Sequence, residues 1–226
     1  MVMKNACLLF LPIYLLLVME GLSQDSWKDV YSERTWTDRD AWQRPDDIIK
    51  QLGISKGSAV ADIGCHEGYF TMKLASVVGP NGKVYAVDIS RDKIEKVRAN
   101  AKERNFDNVV AIVGDEANPK LPVASLDAVL IVDTYHEMDK HREILSYIKA
   151  SLKPSGKLLI CEPIADERKN LSRDVQEKRH ELGMQFALDD LQAAGFKVIS
   201  KHEGFVDRRK EKGDTMWLIV AVKEKL

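Results

Sequence analysis

Four clusters in the 226-residue chain carry side chains able to do chemistry. The first is ADIGCHEG at 61–68, where an apolar run ends in Asp62 and continues into Gly64, Cys65, His66 and Gly68. Glycine lets a backbone turn sharply and lets a ligand approach the main chain. This is the pattern of a loop that cradles a nucleotide-type cofactor, and a helix starting near Tyr69 would add free N–H groups at its first turn. The second is Asp88 with Ile89 in VYAVDIS, placed so that a strand-end acid accepts ribose hydroxyls. The third is Asp115 with Glu116 in AIVGDE, and the fourth is Asp133, Tyr135 and His136 in IVDTYHEMDK. Imidazole titrates near neutral pH, so His136 is either a general base or a helix-start residue bonding to backbone. Each Asp taken singly also suits a turn or a cap.

The elements that must position these clusters follow from hydrophobic period. Short runs rich in Val, Ile and Leu at 59–63, 83–89, 109–113, 128–132 and 157–161 read as strands. Between them Phe70, Leu74, Val77 and Val78 recur at helical spacing, as do Ile94, Val97 and Ala101, then Ile144, Leu145, Ile148 and Leu152. Strand–helix alternation implies a parallel sheet with helices on both faces. The last two runs, 196–205 and 215–222, have no helix between them and are expected to pair antiparallel. A further helix is expected from Pro45 through Leu52, ended by Gly53. All four clusters then follow C-terminal ends of strands, where doubly wound sheets bind ligands.

Bulk composition narrows the classes. With 45% hydrophobic and 31% charged residues and a formal net charge of −1, the chain reads as one globular domain. A near-neutral balance argues against nucleic acid as partner, because counterion release needs clustered Lys and Arg. The charge run DRRKEK at 207–212 mixes both signs and reads as a solvated turn. At the start, Lys4 precedes an uncharged run over 6–19, closed by Glu20 and Gly21-Leu22-Ser23. This has the three parts of a signal peptide over 1–23, and the run is shorter than the roughly 20 residues of a spanning helix. The expectation is an exported, periplasmic or secreted protein with no stable membrane insertion after cleavage, or an anchored one if the leader stays. Residues 24–52 form a polar cap segment with Trp27, Trp36 and Trp42, in which Trp42 and Gln43 either close a pocket or pack on the domain edge.

The loop D-I-G-C-H-E-G matches the acid and two glycines of acid-x-G-x-G-x-G and departs from it at His66. With the strand pattern, it resembles the class I S-adenosylmethionine (SAM) dependent methyltransferase family over roughly residues 40–223. The segment DRDAWQRPDDIIKQLGISKGSAVADIG is similar to a bacterial group of that family with some exported members. The resemblance implies an α/β, Rossmann-like, doubly wound seven-stranded sheet in the order 3-2-1-4-5-7-6 with strand 7 antiparallel, forming a domain over 53–226.

It further implies SAM as cofactor. Asp62, Gly64, Cys65, His66, Gly68 and Asp133 would surround the methionine end, Asp88 would hold the ribose, and Ile89, Asp115 and Glu116 would hold the adenine. His136 would act as base and Tyr135 would orient the acceptor. At His66, either φ is negative and the ring turns away, or affinity suffers. In that strand order Cys65 and Cys161 follow second-neighbour strands, about 10 Å apart at about 4.8 Å per step, beyond the ~7 Å reach of a disulfide.

The expected activity is methyl transfer to an O or N atom of a small molecule, with a noncatalytic SAM-binding protein as the alternative. An NAD(P)-dependent oxidoreductase fits less well, because Tyr69 and Lys73 have the Tyr-x-x-x-Lys spacing on the wrong helix. No metal is expected: Asp133 and Glu162 could be recruited for a catechol-type site, but the sequence offers no evident third ligand. The charged stretch 162–182 would cover the acceptor, with Arg179 and His180 either touching an anionic substrate or lying on a solvated helix.

Overall fold

The computed structural model describes residues 31–224, so the leader expected over 1–23 and Trp27 lie outside the described residues. In the described residues a 3-10 turn at Glu33–Thr35 leads into helices α1 (Trp36–Gln43) and α2 (Pro45–Leu52), joined at Arg44. Pro45 sits at the start of α2, and Gly53 closes it with φ +65°, a conformation that glycine adopts without penalty. Strand–helix units follow: β1 (Ala59–Ile63), α3 (Tyr69–Val78), β2 (Lys83–Asp88), α4 (Arg91–Glu103), β3 (Val109–Val113), β4 (Leu126–Val132) and α5 (His141–Ser151). After these come β5 (Leu152–Ile164), a short helix α6 (Arg173–Glu177), α7 (Met184–Ala193), β6 (Phe196–Asp207) and β7 (Thr215–Lys223).

The seven strands lie in the order β3-β2-β1-β4-β5-β7-β6, as expected. Strands β1 to β5 pair parallel, and β7 runs antiparallel to both β5 and β6. The first five-strand stretch is continuous in register except between β4 and β5. There, Leu126 pairs with Leu152 and Ala128 with Lys157, so the turn residues of KPSG are absorbed as an irregularity inside a longer strand.

Alternation along each strand supplies two cores, one per face. Val129, Ile131, Leu158, Ile160 and Ile219 pack against Ile144, Leu145 and Ile148 of α5 and Ala187 and Leu191 of α7. Val60, Leu130, Leu159 and Leu218 pack against Ile48, Ile49 and Leu52 of α2 and Phe70 and Leu74 of α3. Both faces of the central strands are therefore covered. Cys65 and Cys161 are buried free thiols, as the strand order requires. No helix among the described residues is long and apolar enough to cross a membrane.

Candidate active site

The chain reverses between β1 and α3 through Gly64, His66 and Gly68, with φ of +74°, +51° and +98°. At Gly64 a Cβ would sit 2.1 Å from the Thr134 side chain, so only glycine lets the loop pass the turn after β4. His66 takes a left-handed backbone at the position where the motif has glycine, which removes the first of the two alternatives given for it, a negative φ with the ring turned away. Its amide pays part of that strain back by donating to Asp88 Oδ2 at 3.0 Å, while Ser90 N donates to Oδ1 at 2.9 Å. Asp88 therefore ties the β1 loop to the end of β2. Gly64 and Cys65 add bonds to the Val87 carbonyl at 2.8 and 3.1 Å.

These residues open onto a cavity of about 410 Å³, within the size range of small-ligand sites. Asp62, Gly64, Cys65, His66, Asp88, Ile89, Asp115, Glu116 and Asp133 all line it. Gly68 does not; it opens α3 beneath the loop. Ile89 is 64% exposed at the cavity rim, where an apolar side chain can cover a flat base. Burial pushes the Asp62 carboxyl up to about 6, opposed by the Thr71 hydroxyl bonded at 2.6 Å and by the Arg39 guanidinium.

Three residues of this wall carry no signal in the sequence pattern: Tyr31, Arg39 and Thr134. Arg39 is 5% exposed, with its guanidinium 4.1 Å above the Tyr69 ring. Its Nε and the His66 Nδ1 are buried without a hydrogen-bond partner among the described residues. Burial also lowers the His66 imidazole to about 4, leaving it neutral. Orphaned polar atoms of this kind in a cavity wall fit a ligand with a carboxylate and an amine. For SAM, Arg39 would be the residue to meet the carboxylate, Asp62 the ammonium, Asp88 the ribose, and Asp115 with Ile89 the adenine; all five line this cavity. Trp42 and Gln43, by contrast, do not line this cavity; Gln43 is fully buried with its amide on the Met216 sulfur.

The acceptor-side residues are arranged differently from expectation. Asp133 is almost wholly buried and is held by the Arg208 guanidinium and the Tyr31 hydroxyl, each at 2.6 Å. Burial alone would raise its carboxyl, but Arg208 and Lys212 hold it well below the usual carboxylate range. It is thus a wall of the cavity already neutralised by protein cations. Tyr135 has no exposed surface and donates its hydroxyl to Asp190, so the structure turns it into the core rather than toward an acceptor.

His136 Nδ1 lies 2.5 Å from Oε2 of the fully buried Glu162, which also accepts from the amides of Thr134, Tyr135 and His136. Burial would lower this imidazole, yet Glu162 and Glu137 push it up to about 10. With Nδ1 held by Glu162, the ring presents Nε2 to Glu137 at 3.3 Å, at the edge of the cofactor cavity. Glu162 is the residue that fixes this turn, and its place inside β5 gave no sign of that.

A second cavity of about 560 Å³ adjoins the first and shares Tyr31, Asp133 and Glu137 with it. Its far side is built from residues 165–183 and from the turn between β6 and β7, bringing in Arg168, Arg179, His180, Glu181, Arg208 and Lys212. The charged stretch therefore covers a cavity beside the cofactor site, and Arg179 has no carboxylate within ion-pair distance among the described residues.

A family model described as "Methyltransferase domain" matches residues 54–217. A demethylmenaquinone methyltransferase of Anoxybacillus flavithermus is 30% identical over 122 residues, covering 54% of this chain and 51% of that protein. The chain thus spans about half the length of the demethylmenaquinone methyltransferases it matches. An uncharacterized methyltransferase of a Geobacillus strain is 24% identical over 213 residues, 88% of this chain and 96% of its own length. Among solved structures, a SAM-dependent methyltransferase from Aquifex aeolicus superposes with a TM-score of 0.67 at 23% identity, covering 78% of this chain and 88% of that one. With its strand order and a cavity walled by Asp62, Asp88 and Asp115, the chain belongs to the methyltransferase domain family, in its class I, S-adenosylmethionine-dependent branch.

Proposed function

We propose that this protein methylates an oxygen or nitrogen atom of a small molecule bearing an anionic group. SAM supplies an electrophilic methyl on a sulfonium. The chain's own contribution is to hold the acceptor in line and keep water out. The observation that carries the reading is the second cavity, which opens onto the cofactor cavity at Tyr31, Asp133 and Glu137. Its Arg179 supplies a cation whose partner would come from the substrate, whereas Arg208 is already committed to Asp133 and Asp214. The neutralised Asp133 between the two cavities does not repel an anion. Export by residues 1–23 remains part of the proposal, supported by the uncharged run over 6–19.

The test is S-adenosylhomocysteine release from the full chain with a panel of small hydroxy, phenolic and amino acids and their uncharged amides or esters. The acids should be preferred, and Arg179→Ala should raise their KM by roughly tenfold, the size of one charge-assisted hydrogen bond, with kcat little changed. Equal turnover of charged and uncharged compounds would reject the anionic acceptor. No release with any compound, despite SAM binding, would favour the noncatalytic SAM-binding alternative.

A further inference from the structure

His136 and Glu137 follow β4, whereas His180 lies 43 residues beyond Glu137, yet the fold brings the three together at the seam of the two cavities. We propose that His136, Glu137 and His180 form a binding site for a divalent first-row transition ion, whose open positions take an oxygen of the bound acceptor. The role assigned to that oxygen rests on the acceptor reading above; the ion site itself does not.

The geometry is that of a three-ligand set. One ligand atom from each residue lies within 4.8 Å of the other two. Glu137 Oε1 is 2.6 Å from His180 Nδ1 and 3.3 Å from His136 Nε2, and the two rings stand at 76° with centroids 5.7 Å apart. A carboxylate lies between two imidazoles at these separations, and a bound ion would take the place of the protons now shared with Glu137, on His136 Nε2 and His180 Nδ1, releasing them to solvent.

The surroundings hold His136 and the backbone of His180 in place. Glu162 holds His136 Nδ1, as carboxylates behind metal-bound imidazoles do, and so directs Nε2 outward. Three backbone amides hold Glu162 in turn, at 2.6, 2.9 and 3.3 Å. On the other side, His180 adopts φ +57°, a conformation unusual for a non-glycine residue. The loop that imposes it is anchored by a two-pronged Arg168–Glu181 pair at 2.6 and 2.8 Å and by Leu182 N on the Pro163 carbonyl.

Chemistry selects the ion class. Two imidazoles and one carboxylate suit Mn²⁺, Co²⁺ or Zn²⁺ and are a poor match for Ca²⁺ or Mg²⁺, which prefer oxygen donors. Three protein ligands leave positions open on the cavity side, where an acceptor anchored at Arg179 would place its oxygen. Glu137 lines both cavities, so an ion on it sits between cofactor and acceptor.

The test titrates chelator-treated full chain with Co²⁺, followed by calorimetry and visible absorption, in the absence of SAM. One Co²⁺ per chain is expected, with ligand-field bands that report nitrogen ligation. His180→Ala and Glu137→Gln should each weaken binding by about tenfold or more. The His180 side chain is 73% exposed, so its removal leaves the fold intact, and circular dichroism verifies this for both variants. Absence of saturable binding, or unchanged affinity in both variants, overturns the site. SAM titration of the same samples separates the two readings. SAM binding without Co²⁺ binding removes the ion and leaves the methyltransferase reading, and Co²⁺ binding without SAM binding does the reverse.

Discussion

Asp62 shows how burial turns a motif residue into a tunable one. Its carboxyl is pushed up to about 6 because burial disfavours the charge more than Thr71 and Arg39 restore it. An ammonium binds only the ionised form, so below about pH 6 binding must expel a proton from Asp62. SAM affinity should therefore fall as pH drops through 6 and stay level above it, and Asp62→Asn should be weaker throughout and lose this step. Calorimetry across pH 5 to 8 would read it, and a step of the same size in Asp62→Asn would assign the titration elsewhere. The acids of the cofactor cavity were legible from sequence because each ends a strand, and strand ends follow from hydrophobic runs. The partners that set their charge were not. Arg39, Tyr31 and Glu162 reach their positions through tertiary packing, which leaves no local spacing to detect, and so the ion pairs of Asp133 with Arg208 and of His136 with Glu162 were not foreseen.

Among the elements, residues 165–183 are held by the buried amide of Gln176 as well as by the Arg168–Glu181 pair. Gln176 has no exposed surface; its Nε2 donates to the carbonyls of Arg168, Lys169 and Leu171, and its Oε1 accepts from Gly183 N. Gln176→Leu keeps the volume and removes these bonds, at about 1–3 kcal/mol for each group left buried and unpaired. Limited proteolysis should then cut first within 165–183 while SAM affinity is kept, because no bond of Gln176 reaches the cofactor cavity. An unchanged cutting pattern would show that the segment is held by something else. A charged, weakly periodic stretch of this kind offers nothing to hydrophobic pattern reading, whereas β1 and β3, with a clean apolar run each, were bounded to the residue. The α1 helix was missed for the opposite reason, since its polar sequence folds against Tyr69 and β6 without an apolar stripe.

For the whole molecule, the order β3-β2-β1-β4-β5-β7-β6 reverses direction between β1 and β4 and opens the cleft there. That one topological fact brings Asp62, Asp88 and Asp115, from three adjacent strand ends, onto one cavity, and sets the acceptor-side turn of β4 across from them. The topology was expected from resemblance and pattern together. The charged stretch 162–182 was expected beside the acceptor, but the lining of the second cavity was not legible, because much of its wall comes from loops whose positions only the folded chain defines. The central claim is tested most directly by calorimetric titration of the full chain with SAM and, separately, with NADH. One SAM per chain is predicted, with no comparable binding of NADH, and with affinity for SAM reduced roughly tenfold to a hundredfold in Asp88→Ala, the size of lost hydrogen bonds to a charged group. Preference for NADH, or SAM affinity indifferent to Asp88, would contradict it.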